Sequence, residues 1–282
     1  MSNRNYTCDS HFCAPMQTVP PATLAGALRN QRLLFLGDSV TVQLECDLRF
    51  ALDSVAECWA QPNSYCSEFH GQCTNEYVYP ALNISTRMLG VGCPWHCVQH
   101  ANGTLETRAL LLTTTGVLLS ATAVVFSLGN HYEDWRRDAF DASLAQFEAG
   151  LRRARLPVAV VSPSATHFAT ADGSYHGSTR PTASSAAHPH ERAECRARVA
   201  GAPRPAHSAL QDAGLRRLAG RLPRGRYVDV YKLSDDPRQH ARWHTSPDGK
   251  VAEVEDCRHF CQNCYMLRAW NTVLAQALVA FF

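Results

Sequence analysis

Three short segments hold the residue types that could carry out covalent chemistry. Leu36-Gly37-Asp38-Ser39 places a serine just past the apolar run Arg32-Leu33-Leu34-Phe35-Leu36. A serine hydroxyl is a weak nucleophile until a base takes its proton, and a histidine base works best when a carboxylate fixes its tautomer. Asp256-Cys257-Arg258-His259, near the other end of the chain, supplies both groups. Asp and His three residues apart can share one turn, which leaves the imidazole free to reach Ser39. Gly129-Asn130-His131-Tyr132 offers a side-chain amide at Asn130 for a developing oxyanion and close substrate approach at Gly129. The chemistry of such a set is serine acyl transfer. Taken singly, each segment has a plainer explanation: a turn with a helix N-cap, a surface Asp–His pair, and a polar turn.

These residues need elements to hold them. Residues 32–36 form a short apolar run of the kind found in buried parallel strands, and Val40, Leu44, Leu48 and Ala51 follow at helical spacing. Active residues of open parallel sheets gather outside the carboxyl ends of the strands, where Ser39 would lie with its N–H aimed at an oxyanion. A second core strand is expected at Ala123-Val124-Val125-Phe126, running into Gly129. A helix is expected from Trp135 to Arg155, with Phe140, Leu144, Phe147 and Leu151 on one face. Further strands are expected at Pro157–Val161 and Tyr227–Tyr231, and further helices at Ser208–Leu222 and Met266–Phe282, with Trp270, Leu274 and Leu278 along the last. Strands alternating with helices imply a parallel α/β sheet. The uncharged stretch 109–128 is expected to form two buried strands rather than a membrane span, given its Thr, Ser and central Gly116.

Composition sets the setting. The 282 residues are 45% hydrophobic and 18% charged, a globular balance, and the net charge of +2 gives no reason to expect nucleic acid or an acidic membrane as partner. Twelve cysteines, an even number, suit disulfides formed in an oxidising compartment. Sequons at Asn5-Tyr6-Thr7, Asn83-Ile84-Ser85 and Asn102-Gly103-Thr104 point the same way, to glycosylation at Asn5, Asn83 and Asn102. Met1-Ser2-Asn3-Arg4-Asn5 lacks the apolar core of a signal peptide, so an N-terminal signal or anchor is expected to be missing from this sequence. Residues 1–31 are expected to form a disulfide-containing extension and residues 32–282 one catalytic domain. Residues 52–108, with Cys58, Cys66, Cys73, Cys93 and Cys97, are expected to be an irregular insertion pinned by disulfides. Residues 170–206, rich in Ser, Ala, Pro, His and Arg, are expected to be a long loop.

The ordered blocks resemble the SGNH (GDSL-type) superfamily, in particular its PC-esterase branch with the trichome-birefringence-like glycan O-acetyltransferases. Gly37-Asp38-Ser39 stands near the start, as in that branch, and Asp256-Cys257-Arg258-His259-Phe260-Cys261 stands near the end, followed by Arg268-Ala269-Trp270-Asn271-Thr272-Val273-Leu274. Between them, Ser162-Pro163-Ser164-Ala165-Thr166-His167-Phe168 and Asp172-Gly173-Ser174-Tyr175 resemble the family's Ser-Pro-x-His-Phe and following Gly-x-Trp. The resemblance implies a three-layer, flavodoxin-like parallel sheet with disulfide-rich insertions. It implies Ser39 as nucleophile, His259 as general base and Asp256 as its partner. Gly37, Asp38, Gly92, Gly129, Asn130, His131 and His167 are the candidate oxyanion or substrate-binding residues, with Gly90 an alternative to Gly92. The chain departs from the family pattern at Gly129-Asn130-His131, where the usual third block is Gly-x-Asn-Asp, at Phe260, where Trp is usual, and at Gln262-Asn263, where Pro-Gly is usual, with an extra Cys264.

The implied activity is acetyl transfer to a polysaccharide or glycan hydroxyl through an acetyl-serine, by a monomer in the secretory pathway lumen, in the Golgi or outside the cell. No cofactor is expected to be bound; the acetyl donor, acetyl-CoA or another acetylated molecule, is a co-substrate, and no Gly-rich phosphate loop marks a coenzyme A site. Three alternatives compete. Water as the attacking group would make the protein a carbohydrate acetylesterase. Trp59, Trp95, Tyr132, Trp135 and Trp243 could serve an inactive glycan-binding protein. Cys257, His259, Cys261 and Cys264 could hold zinc, but their irregular spacing favours disulfides and no metal is expected.

Overall fold

A computed structural model describes residues 6–7, 19–61, 76–90, 117–129, 137–167, 204–234, 240–245, 252–260 and 265–282. In chain order the elements are β1 (Tyr6–Thr7), α1 (Pro21–Ala27), β2 (Arg32–Gly37), α2 (Ser39–Asp53), β3 (Trp59–Gln61), β4 (Glu76–Tyr79) and β5 (Ile84–Gly90). They continue with α3 (Val117–Ser120), β6 (Ala123–Ser127), α4 (Arg137–Ala154), β7 (Val158–Val161), α5 (Ala206–Arg221) and β8 (Gly225–Val228). The last are β9 (His240–Thr245), β10 (Ala252–Phe260) and α6 (Tyr265–Val279).

Seven strands form one sheet in the order β3-β4-β5-β2-β6-β7-β8. β5, β2, β6, β7 and β8 are mutually parallel, and β4 and β3 extend the edge through antiparallel pairs. The parallel strands thus run second, first, third, fourth, fifth, and the order reverses between β2 and β6. This is a doubly wound α/β sheet, a fold in which ligands generally bind at such a reversal.

Alternation along the strands divides the core in two. Leu33, Phe35, Met88, Val125, Ala159 and Val161 join α1, α2 and α6, which bring Leu24, Leu28, Val40, Leu44, Leu48, Leu52, Trp270, Leu274 and Leu278. Leu34, Leu36, Val124, Phe126, Val158 and Val160 face α3, α4 and α5. The face Phe140, Leu144, Phe147 and Leu151 of α4 is buried as its spacing predicts, and the Phe147 ring lies 5.1 Å from that of Phe126. The layers are helix, sheet and helix. α1 falls within residues 1–31, the stretch expected to be an extension, yet Leu24, Ala25 and Leu28 belong to the core.

Two expectations need correction. Residues 52–108 are not simply an irregular insertion, because β5 is a central partner of β2 and β4 stands beside it. Ile84, Ser85, Thr86 and Met88 are all buried, as suits a strand inside the sheet. Cys58 in this stretch is a free thiol, and burial pushes it above its ordinary value; the pairing expected of the other cysteines falls on side chains outside those described. Within the uncharged stretch 109–128, Val117–Ser120 is helical rather than strand, while β6 forms where expected. No helix among the described residues is long and apolar enough to cross a membrane. β8 ends at Val228, earlier than its expected end at Tyr231. There the Val230 N–H turns to donate to Ser162 Oγ at 2.9 Å and the Tyr231 N–H to Asp229 Oδ1 at 3.1 Å.

A buried polar ladder fixes α2 against the sheet. Glu45, fully buried, accepts from Arg49 Nε at 3.0 Å and from Thr86 Oγ1 of β5 at 2.6 Å. The Arg49 guanidinium lies 3.5 Å from the ring centroid of Tyr77, and Tyr79 Oη donates to Asp53 Oδ1 at 2.7 Å. Glu45, Arg49 and Asp53 are spaced one helical turn apart, so a single edge of α2 meets β4 and β5. Burial pushes the Glu45 carboxyl above the usual carboxylate range, against the opposing pull of Arg49 and the Thr86 hydroxyl.

A carboxyl whose value is raised on folding stabilises most when protonated. Its contribution is complete below the unfolded value of 4.5 and is lost as pH rises through the folded one. Urea denaturation of wild type and Glu45→Gln should therefore show the stability difference moving in favour of wild type as pH falls toward 4.5. Glu45→Ala should cost about 3 kcal/mol by the same measurement, because it strands Arg49 beside a buried gap.

Candidate active site

The turn from β2 into α2 is built around a residue with no room for a side chain. A Cβ on Gly37 would stand 2.0 Å from Thr41 Oγ1 and 2.7 Å from the carbonyl oxygen of Ser127. Glycine is therefore required where β2 passes the end of β6 and the first turn of α2 closes over it. Asp38 follows in extended conformation as the helix N-cap, 4% exposed, with Oδ1 accepting from the Val40 N–H at 3.0 Å. Ser39 is then the first residue of the helix.

That arrangement separates two roles that the sequence leaves merged. Asp and Ser both cap helices, and here Asp38 is the cap. Ser39 stands at the positive end of a 15-residue helix, where N–H groups lack intrahelical acceptors and negative charge is favoured. It also stands at the carboxyl end of β2, one side of the reversal in strand order. Gly37 and Asp38, candidates for substrate contact, have structural tasks: close approach and capping.

The other side of the reversal is the exit from β6. Gly129, two residues past that strand, has φ +145°, a conformation that strongly favours glycine. Asn130 and His131 lie outside the described residues. On the other flank of β2, Gly90 ends β5 in register with Gly37. Of the two candidate glycines Gly90 is thus at the strand end beside the Ser39 turn, and Gly92 lies outside the described residues.

Asp256 and His259 belong to β10, in a separate three-stranded antiparallel sheet ordered β1-β9-β10. A strand replaces the turn on which they were expected. In a regular strand, positions three apart point to opposite faces. This strand is not regular: Asp256 pairs with Ala241 and Phe260 with His240, so β10 advances four residues while β9 advances one. Such an irregularity bends a strand, and these devices are over-represented beside active sites. β10 packs on α2, the helix that Ser39 heads. The fold thus brings the Asp-x-x-His strand to the serine helix across more than two hundred residues of chain.

The remaining candidates divide. His167, past the end of β7, is fully buried. Its segment is laced to the exit of β8, with Ser162 Oγ accepting from Val230 N–H and Ser234 Oγ accepting from Ala165 N–H at 2.7 Å. His167 is thus enclosed at the carboxyl edge of the sheet. Asn83 is exposed in a left-handed turn with φ 52°, and its Nδ2 donates to Asn30 Oδ1 at 3.0 Å. Asn5 and Asn102 lie outside the described residues, as do Cys261 and Cys264. Among the described residues no group of three His, Cys, Asp or Glu is placed to hold a metal ion.

Compared with models of known protein families the chain matches none, and no curated protein matches its sequence.

The glycine turn gives a direct test. Gly37→Ala should lose about 3 kcal/mol of stability in urea denaturation, from forced displacement at a packed site. Adding Thr41→Ala should restore only part of it, because the Ser127 carbonyl still stands in the way.

Proposed function

We propose that this protein is a serine acyl-transfer enzyme with Ser39 as nucleophile, His259 as general base and Asp256 as the carboxylate that orients the base. The observation that carries this reading is the placement of Ser39 as the first helical residue at the strand-order reversal, with the strand bearing Asp256 and His259 packed on the same helix. The Ser39 hydroxyl attacks the acyl carbonyl carbon of the donor and passes its proton to His259. Collapse of the tetrahedral adduct expels the donor's leaving group, which takes that proton. The N-terminal end of α2 stabilises the transient oxyanion, with Asn130 as the candidate side-chain donor.

Within that class, we propose an SGNH-type carbohydrate O-acetyltransferase. Its acceptor is a polysaccharide or glycan hydroxyl, and its donor is acetyl-CoA or another acetylated molecule. Support comes from the order of the Gly-Asp-Ser, Ser-Pro-…-His-Phe and Asp-x-x-His blocks, together with a doubly wound sheet that sets the first two at carboxyl ends of its strands. A sugar hydroxyl attacking the acetyl-Ser39 ester returns the serine to its free form and yields the acetylated glycan. The cysteine content and sequons support a place in the secretory pathway lumen.

An isotopically labelled acetyl donor offered with a panel of glycans tests this. Label should appear on the sugar with wild type and not with Ser39→Ala or His259→Ala, which should each lower turnover at least about 10³-fold, with Asp256→Asn costing less. Label released only as free acetate would make the protein an esterase.

A further inference from the structure

Helix α5 and its C-cap bury Gln211, Leu215, Leu218 and Leu222 along one face, at the spacing of an aliphatic stripe. Three of these join the core formed with α4 and the sheet. The fourth is a carboxamide, 6% exposed. A buried carboxamide is retained at such a place only when its polar atoms are directed at something.

The Gln211 side chain packs beside Gly129. Its Oε1 lies 3.1 Å, and its Cδ 3.4 Å, from the point where a Cβ on Gly129 would stand. Pro163 Cγ, from the segment after β7, lies 3.1 Å from the same point. The space beside the Gly129 α-carbon is thus filled by two groups from two other elements. Gly129 itself holds φ +145°.

We propose that Gln211 is a positioning residue of the site: with the Pro163 ring, its carboxamide holds Gly129 in the positive-φ conformation and so fixes the backbone just past the end of β6, at the strand-order reversal that β2 and the Ser39 turn also border. This rests on the acyl-transfer reading for its catalytic consequence but not for its structural one. Gln211 need not touch substrate. It acts through Gly129, so its loss should slow the chemical step more than it weakens substrate binding.

The experiment compares wild type with Gln211→Met, which keeps the shape and removes the amide, and with Gln211→Asn, which keeps the amide on a shorter arm. Backbone hydrogen exchange is followed by mass spectrometry on the peptide spanning 125–132, alongside kcat and KM on a chromogenic acetyl ester. Gln211→Met should exchange about tenfold faster in that peptide alone, and kcat should fall about tenfold with KM within about twofold. Gln211→Asn should recover part of both losses. Unchanged exchange and unchanged kcat in a folded Gln211→Met would overturn the proposal. So would faster exchange spread over the whole of α5, or, if Gln211→Met does not fold, wild-type exchange in folded Gln211→Asn. If wild type turns over no acetyl ester, the acyl-transfer reading fails while the exchange measurement still decides the role of Gln211.

Discussion

The contact at Gly37 governs the direction in which α2 leaves the sheet. With the Thr41 hydroxyl and the Ser127 carbonyl both crowding the empty side of that residue, the first turn of the helix closes directly over the ends of β2 and β6. Any side chain at 37 would force strand and helix apart. The tightness puts Ser39 at the helix start immediately beyond the strand, and lets Asp38 spend its carboxylate on the Val40 N–H. A reactive serine needs a fixed backbone beneath it, since its hydroxyl must meet a base and a carbonyl carbon at once.

The rest of α2 makes that turn rigid. Val40, Leu44, Leu48 and Leu52 seal one face into the core, and the Glu45–Arg49–Asp53 edge meets Thr86, Tyr77 and Tyr79 of the neighbouring strands. The apolar face supplies the stabilising burial. The polar edge supplies orientation, because a fully buried carboxyl is tolerated only with its hydrogen-bond partners in place. At the far side of the sheet a second ionic set works similarly: Arg204 and Arg216 bridge Asp212 of α5 and Asp229 beyond β8, with Tyr227 donating to Asp212. That set holds α5, and with it Gln211, over the exits of β6 and β7.

Elements with strong periodicity were legible in the sequence. Leu33–Leu36 and Val124–Phe126 are continuous apolar runs, buried on both faces, and no other element of that length suits them. Phe140 to Leu151 and Trp270 to Leu278 keep helical spacing over several turns. β5 was hidden because Ser85, Thr86 and Arg87 make its middle polar and it lies inside a cysteine-rich stretch, so nothing in its composition marks a core strand. β9 and β10 carry His, Arg, Glu and Asp at nearly every other position and have no apolar run to mark them. The residue types of the proposed site were legible at Ser39, Asp256 and His259, whereas their support was not. Which of Asp38 and Ser39 caps the helix depends on backbone angles, and the bulge around His259 depends on pairing with a strand the composition conceals. Gln211 gave no sequence signal beyond a polar residue on an apolar helical face.

The central claim is that Ser39 is an activated nucleophile, and a fluorophosphonate probe tests it most directly. Correctly oxidised protein treated with the probe, digested and mapped by mass spectrometry should carry one adduct, on Ser39, and the adduct should be lost in His259→Ala. Absence of labelling in folded wild type, or labelling at another residue with Ser39 untouched, would contradict the account.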